Sequence, residues 1–300
     1  MPDLLPPSIL CPILIGRDAQ VAALTRLLEQ ASAGHGQIAL ISGEAGIGKS
    51  RLVAEIGDQA AQQGFLRLTG RAFETDRAFP YAPLIDLLRT YQRQQPTRSA
   101  PDQRQGGAEI FVAAHRTQAE EGEVAAAQAK RQRFQRFVDF LDQQTMPLLL
   151  TLEDLHWSDE LSLECLLYLA RSLTKQPIVV LLTYRSDEVQ PALQQLLAGL
   201  RRERFTHEVT LQRLTAPQIE AMIRAIFAHP QAVRSEFVTA LHSLTDGNPF
   251  FVEEVLKALV SGGDIFYADG IWTRKALAIF QAHQDQRGMA MTLILLGWSN

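Results

Sequence analysis

The sequence has few cysteines, no strong excess of charge and no long hydrophobic run. Only two of its 300 residues are cysteine, and Cys11 and Cys165 lie far apart, without the spacing of metal ligands. The net charge of −4 predicts no general attraction to nucleic acid or anionic membranes. No apolar run approaches the ~20 residues that span a bilayer, and the N-terminus lacks the basic region of a secretory signal. We therefore expect a cytoplasmic protein with no membrane partner.

The most informative motif is an octet of the form GxxxxGK[ST]. In such a loop, glycines let backbone N–H groups wrap a polyphosphate, while the lysine reaches the β- and γ-phosphates and the serine hydroxyl ligates Mg²⁺. The predicted nucleotide-binding residues of this loop are Gly43, Glu44, Ala45, Gly46, Ile47, Gly48, Lys49 and Ser50. The alternative interpretation is an ordinary glycine turn between a strand and a helix.

The residues around the octet favour the phosphate-binding interpretation. Residues 37–42 form a short apolar run that is typical of a buried parallel strand. Residues 52–60 repeat apolar side chains at helical spacing, and Gly64 provides a stop. The motif needs this strand, loop and helix, because the N-terminus of the helix adds partial positive charge at the phosphates.

Further strands and helices alternate along the chain and predict an α/β domain with a parallel sheet. Residues 92–108 are polar and predict a linker, and residues 215–260 have a helical pattern throughout. The predicted strands are 37–42, 65–70, 147–152, 178–183 and 208–211, and the predicted helices are 19–31, about 109–144, 158–173, 216–228, 235–244 and 249–260. We expect an irregular leader (1–13), an ATPase domain (14–213), a helical lid (214–262) and a hairpin with a helical tail (263–300).

Two acidic residues, Glu153 and Asp154, directly follow one of the apolar runs. Ligands of open parallel sheets bind at the carboxyl ends of the strands, so these carboxylates are candidates for ATP hydrolysis. One acid would hold Mg²⁺ together with Ser50, and the other would orient or deprotonate the attacking water. The sequence does not decide which acid has which role. The alternative is an acidic pair at the start of an ordinary loop.

Arg185 follows the next predicted strand and should lie at the same edge of the sheet. Its guanidinium could bind the γ-phosphate through two hydrogen bonds and so report whether ATP or ADP is bound. The alternative is a surface arginine that pairs with Asp187 or Glu188. His156, which follows the acids, is interpreted as a hydrogen-bonded structural residue in preference to a catalytic base.

These motifs together resemble the signal-transduction (STAND-type) branch of the AAA-type P-loop ATPases. The residues that carry the resemblance are Ile15–Asp18, the 43–50 loop, Leu148–Asp159, Leu181–Arg185 and Gly247–Glu253, in that order. The chain is most similar to the module of large bacterial LuxR-class regulators and to ATPase modules beside nucleotidyl cyclase or kinase domains. The resemblance covers residues 14–272, and the acid-His-Trp run is its most specific part.

The resemblance implies a five-stranded parallel sheet between helices, in which the strands of the acids and of Arg185 flank the phosphate-loop strand. It also implies that Gly16 and Arg17 lie near adenine and that Pro249 in the lid packs against the base. Many relatives have Asp at the position of Glu153. The segment 265–272 resembles a family hairpin, but the winged helix that follows it in relatives is absent, and residues 276–297 resemble part of a tetratricopeptide repeat.

The leading hypothesis is a slow, Mg²⁺-dependent ATPase that acts as a regulatory switch, with ATP bridging the sheet domain and the lid and with protein partners or further domains as its targets. A second hypothesis is a nucleotide-binding module without significant turnover. A third is a DNA-loading ATPase like the origin-recognition proteins, against which the acidic charge balance argues. Small-molecule P-loop kinases lack the acid-His-Trp run and are the weakest alternative.

Overall fold

The computed structural model describes residues 9–94, 109–112, 123–229, 232–268 and 271–274. The strands are β1 (Gln37–Ser42), β2 (Leu66–Arg71), β3 (Leu148–Glu153), β4 (Ile178–Tyr184), β5 (Thr206–Thr210), β6 (Ile265–Ala268) and β7 (Ile271–Arg274). The helices are α1 (Asp18–Ser32), α2 (Lys49–Gln62), α3 (Ala82–Gln94), α4 (Glu109–Val112), α5 (Glu123–Asp142), α6 (Glu160–Ala170), α7 (Pro191–Leu200), α8 (Ala216–Ile226), α9 (Ser235–Thr245) and α10 (Pro249–Ser261).

Strands β1 to β5 form one parallel sheet in the order β2-β3-β4-β1-β5. Every residue of β1, β3 and β4 is buried, which explains why their sequences are continuous apolar runs. The predicted five-stranded α/β fold is therefore confirmed.

The predicted position of the phosphate-loop strand within the sheet is wrong. Strand β1 lies between β4 and β5, so the Arg185 strand is its neighbour but the acid strand β3 is one place further away. The order of strands depends on where each crossover connection places the next strand. The apolar pattern of a strand shows that it is buried but does not show which strands lie beside it.

Two helices of the sheet region, α3 and α7, were not predicted, and each has a proline in its first turn. Pro83 is the second residue of α3 and Pro191 is the first residue of α7. In the first turn of a helix the missing N–H of proline costs nothing, because that N–H would have no partner within the helix. Helix α3 also extends to Gln94, three residues into the predicted linker at 92–108, and the rest of that linker lies outside the described residues.

The chain divides into two compact units. The sheet unit comprises residues 19–44 and 49–211, and its core joins the apolar strands to α3, α5, α6 and α7. The helical unit comprises residues 1–18, 45–48 and 212–300, and its described core is built from α8, α9 and α10 with Ile9 and Cys11. The tip of the phosphate loop thus belongs to the helical unit. The predicted domain boundaries stay a prediction.

The hairpin predicted at 265–272 is confirmed as the antiparallel pair of β6 and β7. Most of the predicted leader and the whole tetratricopeptide-like tail lie outside the described residues. The described helices include none with the length and apolar character needed to cross a membrane.

Candidate functional site

Three groups of candidate residues meet at the carboxyl edge of the parallel sheet. Ser42, the last residue of β1, pairs with Tyr184 of β4, so Gly43 and Arg185 leave the sheet side by side. Strand β3 is in register with β4 as far as the pair Leu152 and Leu182. The two acids follow at the same edge. This is the edge at which parallel α/β sheets bind their ligands.

Lys49 begins α2 and is almost fully buried. Its ammonium donates hydrogen bonds of 2.8 Å to the carbonyl oxygens of Gly43 and Glu44. Burial lowers the pKa of Lys49, and the Asp154 carboxylate acts against that shift. The lysine is therefore held within its own loop by neutral acceptors, which phosphate oxygens can replace. Ser50, the next residue of α2, is exposed.

The tip of the loop is held by the first turn of α10 within the helical unit. The Asn248 side chain donates a 2.9 Å hydrogen bond to the carbonyl of Ala45, and the Phe250 N–H donates to the carbonyl of Gly46. Gly46 has φ of +74°, and a Cβ there would lie 2.7 Å from the Cβ of Phe250. Only glycine fits at this position, for reasons of both conformation and space.

Asn248 also caps the helix that it starts. Its side-chain oxygen accepts a hydrogen bond from the N–H of Phe250, and Pro249 occupies the first position of the helix. One amide group therefore both fixes the start of α10 and binds the loop. The role of Pro249 at the adenine stays a prediction.

Arg17 is buried in the helical unit, and its guanidinium is bound to main-chain oxygens. Its Nη2 donates to the carbonyl of Gln212 at 2.6 Å and to the carbonyl of Ile47 at 3.3 Å. The neighbouring Gly16 has φ of +65° and packs so closely on Gln218 that an added Cβ would lie 2.3 Å from its amide nitrogen. Arg17 therefore supports the phosphate loop by binding the main-chain carbonyl of Ile47.

The two acids share a cation that the sequence interpretation did not identify. Arg71 ends β2 and is paired in register with Glu153 of β3. Its guanidinium lies 3.3 Å from Glu153 Oε2 and 3.6 Å from Asp154 Oδ2. A basic residue at the end of a strand was the available signal, but its partner could only be found from the register of β2 and β3.

The backbone of Asp154 turns sharply at the end of its strand. Its φ of +62° is left-handed, a conformation that aspartate adopts more readily than most residues. Its N–H donates a 3.0 Å hydrogen bond to the hydroxyl of Thr183 in β4. The side chain of Asp154 is 28% exposed and that of Glu153 is 12% exposed, so both carboxylates can be reached from solvent.

Arg185 forms an ion pair with Glu188, three residues later in the chain. Its guanidinium carbon also lies 6.0 Å from the centre of the Trp157 ring, and that of Arg77 stacks on the same ring at 4.5 Å. The pairing with Glu188 is the alternative that the sequence left open for Arg185. The γ-phosphate role of Arg185 stays a prediction.

His156 is buried, and neither ring nitrogen has a hydrogen-bond partner among the described residues. Its Nε2 lies 3.9 Å from Glu188 Oε2. Burial lowers the pKa of His156, with smaller opposing effects of neighbouring charges. Within the described residues the ring therefore lacks the hydrogen bond that the sequence interpretation expected, although the main-chain carbonyl of His156 does accept a 3.1 Å hydrogen bond from Arg77.

The oxygen groups at this edge suit Mg²⁺ and not a softer metal. The described residues contain no cluster of three or more His, Cys, Asp or Glu side chains that could hold a metal ion by itself. Magnesium needs no such cluster, because it is usually held by one or two carboxylates, water and substrate phosphates. The Ser50 hydroxyl and the carboxylates of Glu153 and Asp154 are ligands of that kind.

Comparison with known families identifies the family of the chain. The family model described as "AAA ATPase domain" matches residues 13–181, more than half of the chain. The chain belongs to the AAA ATPase domain family. Members of this family bind nucleotide together with Mg²⁺, in agreement with the loop and the carboxylates at the sheet edge. No curated protein sequence matches the chain significantly.

Solved structures share the fold of this AAA ATPase domain. The Aeropyrum pernix ORC2 protein, determined as ADPNP-ADP complexes, aligns with 97% of the chain and 70% of its own length, at 15% identity and a TM-score of 0.55. Cdc6p from Pyrobaculum aerophilum aligns with 88% of the chain and 65% of its own length, at 15% identity and a TM-score of 0.52. The chain thus spans about two thirds of these proteins, and the likeness is one of fold.

Proposed function

We propose that the chain is an ATP-binding and ATP-hydrolysing regulatory switch of the signal-transduction branch of its family. The observation that supports the proposal most directly is the meeting of the phosphate loop, the two acids and Arg185 at one edge of the sheet. A site that only bound nucleotide would need the loop alone. Acids and a cation at the same edge are what hydrolysis of the γ-phosphate needs in addition.

In this proposal each residue acts on one part of the nucleotide. Lys49 exchanges the Gly43 and Glu44 carbonyls for β- and γ-phosphate oxygens. Ser50 and one of the acids would hold Mg²⁺, which would supply positive charge to neutralise the phosphates. The other acid orients the attacking water, which displaces ADP from the γ-phosphorus, and Arg185 binds the γ-phosphate oxygens.

The helical unit supplies a means of reporting the state of the nucleotide. Asn248 and Phe250 bind the carbonyls of Ala45 and Gly46, so a change in the loop on hydrolysis would pull directly on the first turn of α10. In a nucleotide switch, a local change at the phosphates moves a neighbouring element of the protein in this way. We propose protein partners or further domains of a LuxR-class or cyclase-linked regulator as the target, and the cytoplasm as the location.

A binding module with little turnover is the second candidate, and the Arg71 contacts favour it. Arg71 holds an oxygen of each carboxylate in an ion pair, at 3.3 Å from Glu153 and 3.6 Å from Asp154. A carboxylate oxygen bound to a cation is less available to orient the attacking water until that contact is released. Turnover by the chain alone therefore decides between the two candidates.

The test is phosphate release over many turnovers from Mg²⁺-ATP by the wild-type chain, Glu153→Gln, Asp154→Asn and the double variant. We expect slow release by the wild type and at least a hundredfold loss in the double variant, since general acid–base catalysis contributes about that much. Equilibrium binding of ATP should be retained in all three variants. Release that is unchanged in the double variant would move the chemistry away from these acids.

A further inference from the structure

Arg185 is paired with an acidic side chain three residues later in the chain. Its Nη1 donates to Glu188 Oε1, and the two side chains are 32% and 33% exposed. Trp157 lies beside the same guanidinium. An arginine whose charge is already paired must give up that pair before it can bind another anion with full strength.

Glu188 has a second possible partner on its other side. Its Oε2 lies 3.9 Å from Nε2 of His156, a buried ring whose nitrogens make no hydrogen bond within the described part of the chain. A buried polar group without a partner is costly. The neutral imidazole can donate an N–H to a carboxylate, so a small movement of Glu188 would remove that cost.

We propose that Glu188 is a positioning residue that competes with the γ-phosphate for Arg185. Without ATP, Glu188 holds the guanidinium. When ATP is bound, the γ-phosphate takes the guanidinium and Glu188 hydrogen-bonds with His156. This inference rests on the proposed role of Arg185 as a γ-phosphate ligand.

The competition predicts an effect on ATP but not on ADP. ADP has no γ-phosphate, so its binding leaves the pair of Arg185 and Glu188 intact. Ion pairs of this exposure contribute little, and their loss corresponds to changes in affinity of about twofold to fivefold. Glu188→Gln keeps the length of the side chain and an oxygen for His156 but removes the charge that holds Arg185. We therefore expect it to tighten ATP binding about twofold to fivefold and to leave ADP binding unchanged.

The experiment measures the Kd of a non-hydrolysable ATP analogue and of ADP, each with Mg²⁺, for the intact chain. Asp187→Asn is the matched control, because it removes the same charge from the neighbouring position. The charges of Asp187 and of Glu188 both act on Lys49, so the control accounts for that shared effect. The Arg185→Ala variant, alone and combined with Glu188→Gln, completes the cycle. Circular dichroism of each variant checks that it is folded.

Three results support the inference together: Glu188→Gln raises the preference for the ATP analogue over ADP, Asp187→Asn raises it less, and Arg185→Ala abolishes the effect of Glu188→Gln. The inference is overturned if Glu188→Gln acts equally on both nucleotides, if Asp187→Asn has the same effect, or if the effect persists without Arg185.

The same variants separate this inference from the proposed function. If Arg185→Ala lowers the preference for the ATP analogue but Glu188→Gln does not raise it, Arg185 binds the γ-phosphate and only the competition by Glu188 is rejected. If Arg185→Ala leaves the preference unchanged, the γ-phosphate role of Arg185 fails and the competition fails with it.

Discussion

Arg71 brings together two carboxylates that would repel each other without it. Glu153 and Asp154 are adjacent in sequence and partly buried, and the guanidinium lies within 3.6 Å of both. Two negative charges this close destabilise the folded state unless a cation or a metal compensates them. Arg71 supplies that cation.

We expect Arg71→Met to lower the free energy of unfolding by about 1 kcal/mol, the upper end for a partly exposed ion pair. The loss should shrink in the Glu153→Gln background, because one of the repelling charges is then gone. Urea unfolding measures both. Arg89→Met is the control, since Arg89 lines the same cleft as Arg71 but lies on α3. An equal loss in both backgrounds would mean that Arg71 acts through packing.

The side chain of Asn248 has two roles, one in the stability of α10 and one in binding the phosphate loop. Its side-chain oxygen caps α10, while its side-chain nitrogen binds the carbonyl of Ala45. Asparagine is the one residue among the good caps whose side chain also has amide donors for the loop.

We expect Asn248→Ala to cost about 1 kcal/mol in unfolding free energy, the usual cost of a lost cap. Asn248→Asp should keep the cap and the stability but lose the donor to Ala45, weakening ATP binding about threefold to tenfold. Urea unfolding and equilibrium ATP binding distinguish the two variants. Binding by Asn248→Asp at the wild-type level would show that the contact with the loop does not support nucleotide binding.

Helix α3 packs on β2 at a position where a side chain has no room. A Cβ on Gly70 would lie 2.0 Å from the carbonyl oxygen of Pro83 and 3.1 Å from Leu87. Backbone atoms cannot move aside cheaply, so overpacking there should displace the helix.

We expect Gly70→Ala to lower the free energy of unfolding by about 1–3 kcal/mol. Gly57→Ala is the matched contrast. Gly57 lies within α2, where alanine favours the helix, and the atoms nearest to its added Cβ would belong to the guanidinium of Arg67, the end of a flexible side chain. The midpoint of urea unfolding should fall for the first variant and stay or rise for the second. Equal midpoints would show that α3 does not need this close approach.

The sequence predicted these elements unequally, and the reasons are physical. Strands β1, β3 and β4 were predicted because burial on both faces leaves an uninterrupted apolar run. Helices α3 and α7 were not predicted, and each has in its first turn a proline, a residue that is also common in loops. The contacts of Arg71 with the two acids could not be predicted, because they depend on the register of β2 and β3. The approach of Glu188 to His156 could not be predicted either, because it depends on how the chain turns after two different strands.

For the whole molecule, family membership and fold likeness have different meanings. The family model places the chain among AAA ATPase domains, whereas the solved ORC2 and Cdc6p structures share only 15% of its residues and so show the fold alone. The regulatory role therefore depends on the residues of this chain. Lys49 is the residue on which both proposed functions depend, because it anchors the phosphates in either case.

The most direct measurement is therefore equilibrium binding of Mg²⁺-ATP to the intact wild-type chain and to Lys49→Ala, with Lys175→Ala as a control for an exposed lysine in the same unit. The account predicts saturable binding by the wild type and by Lys175→Ala, and no measurable binding by a folded Lys49→Ala. Retained micromolar affinity in Lys49→Ala would contradict the assignment of the phosphate loop as the nucleotide site.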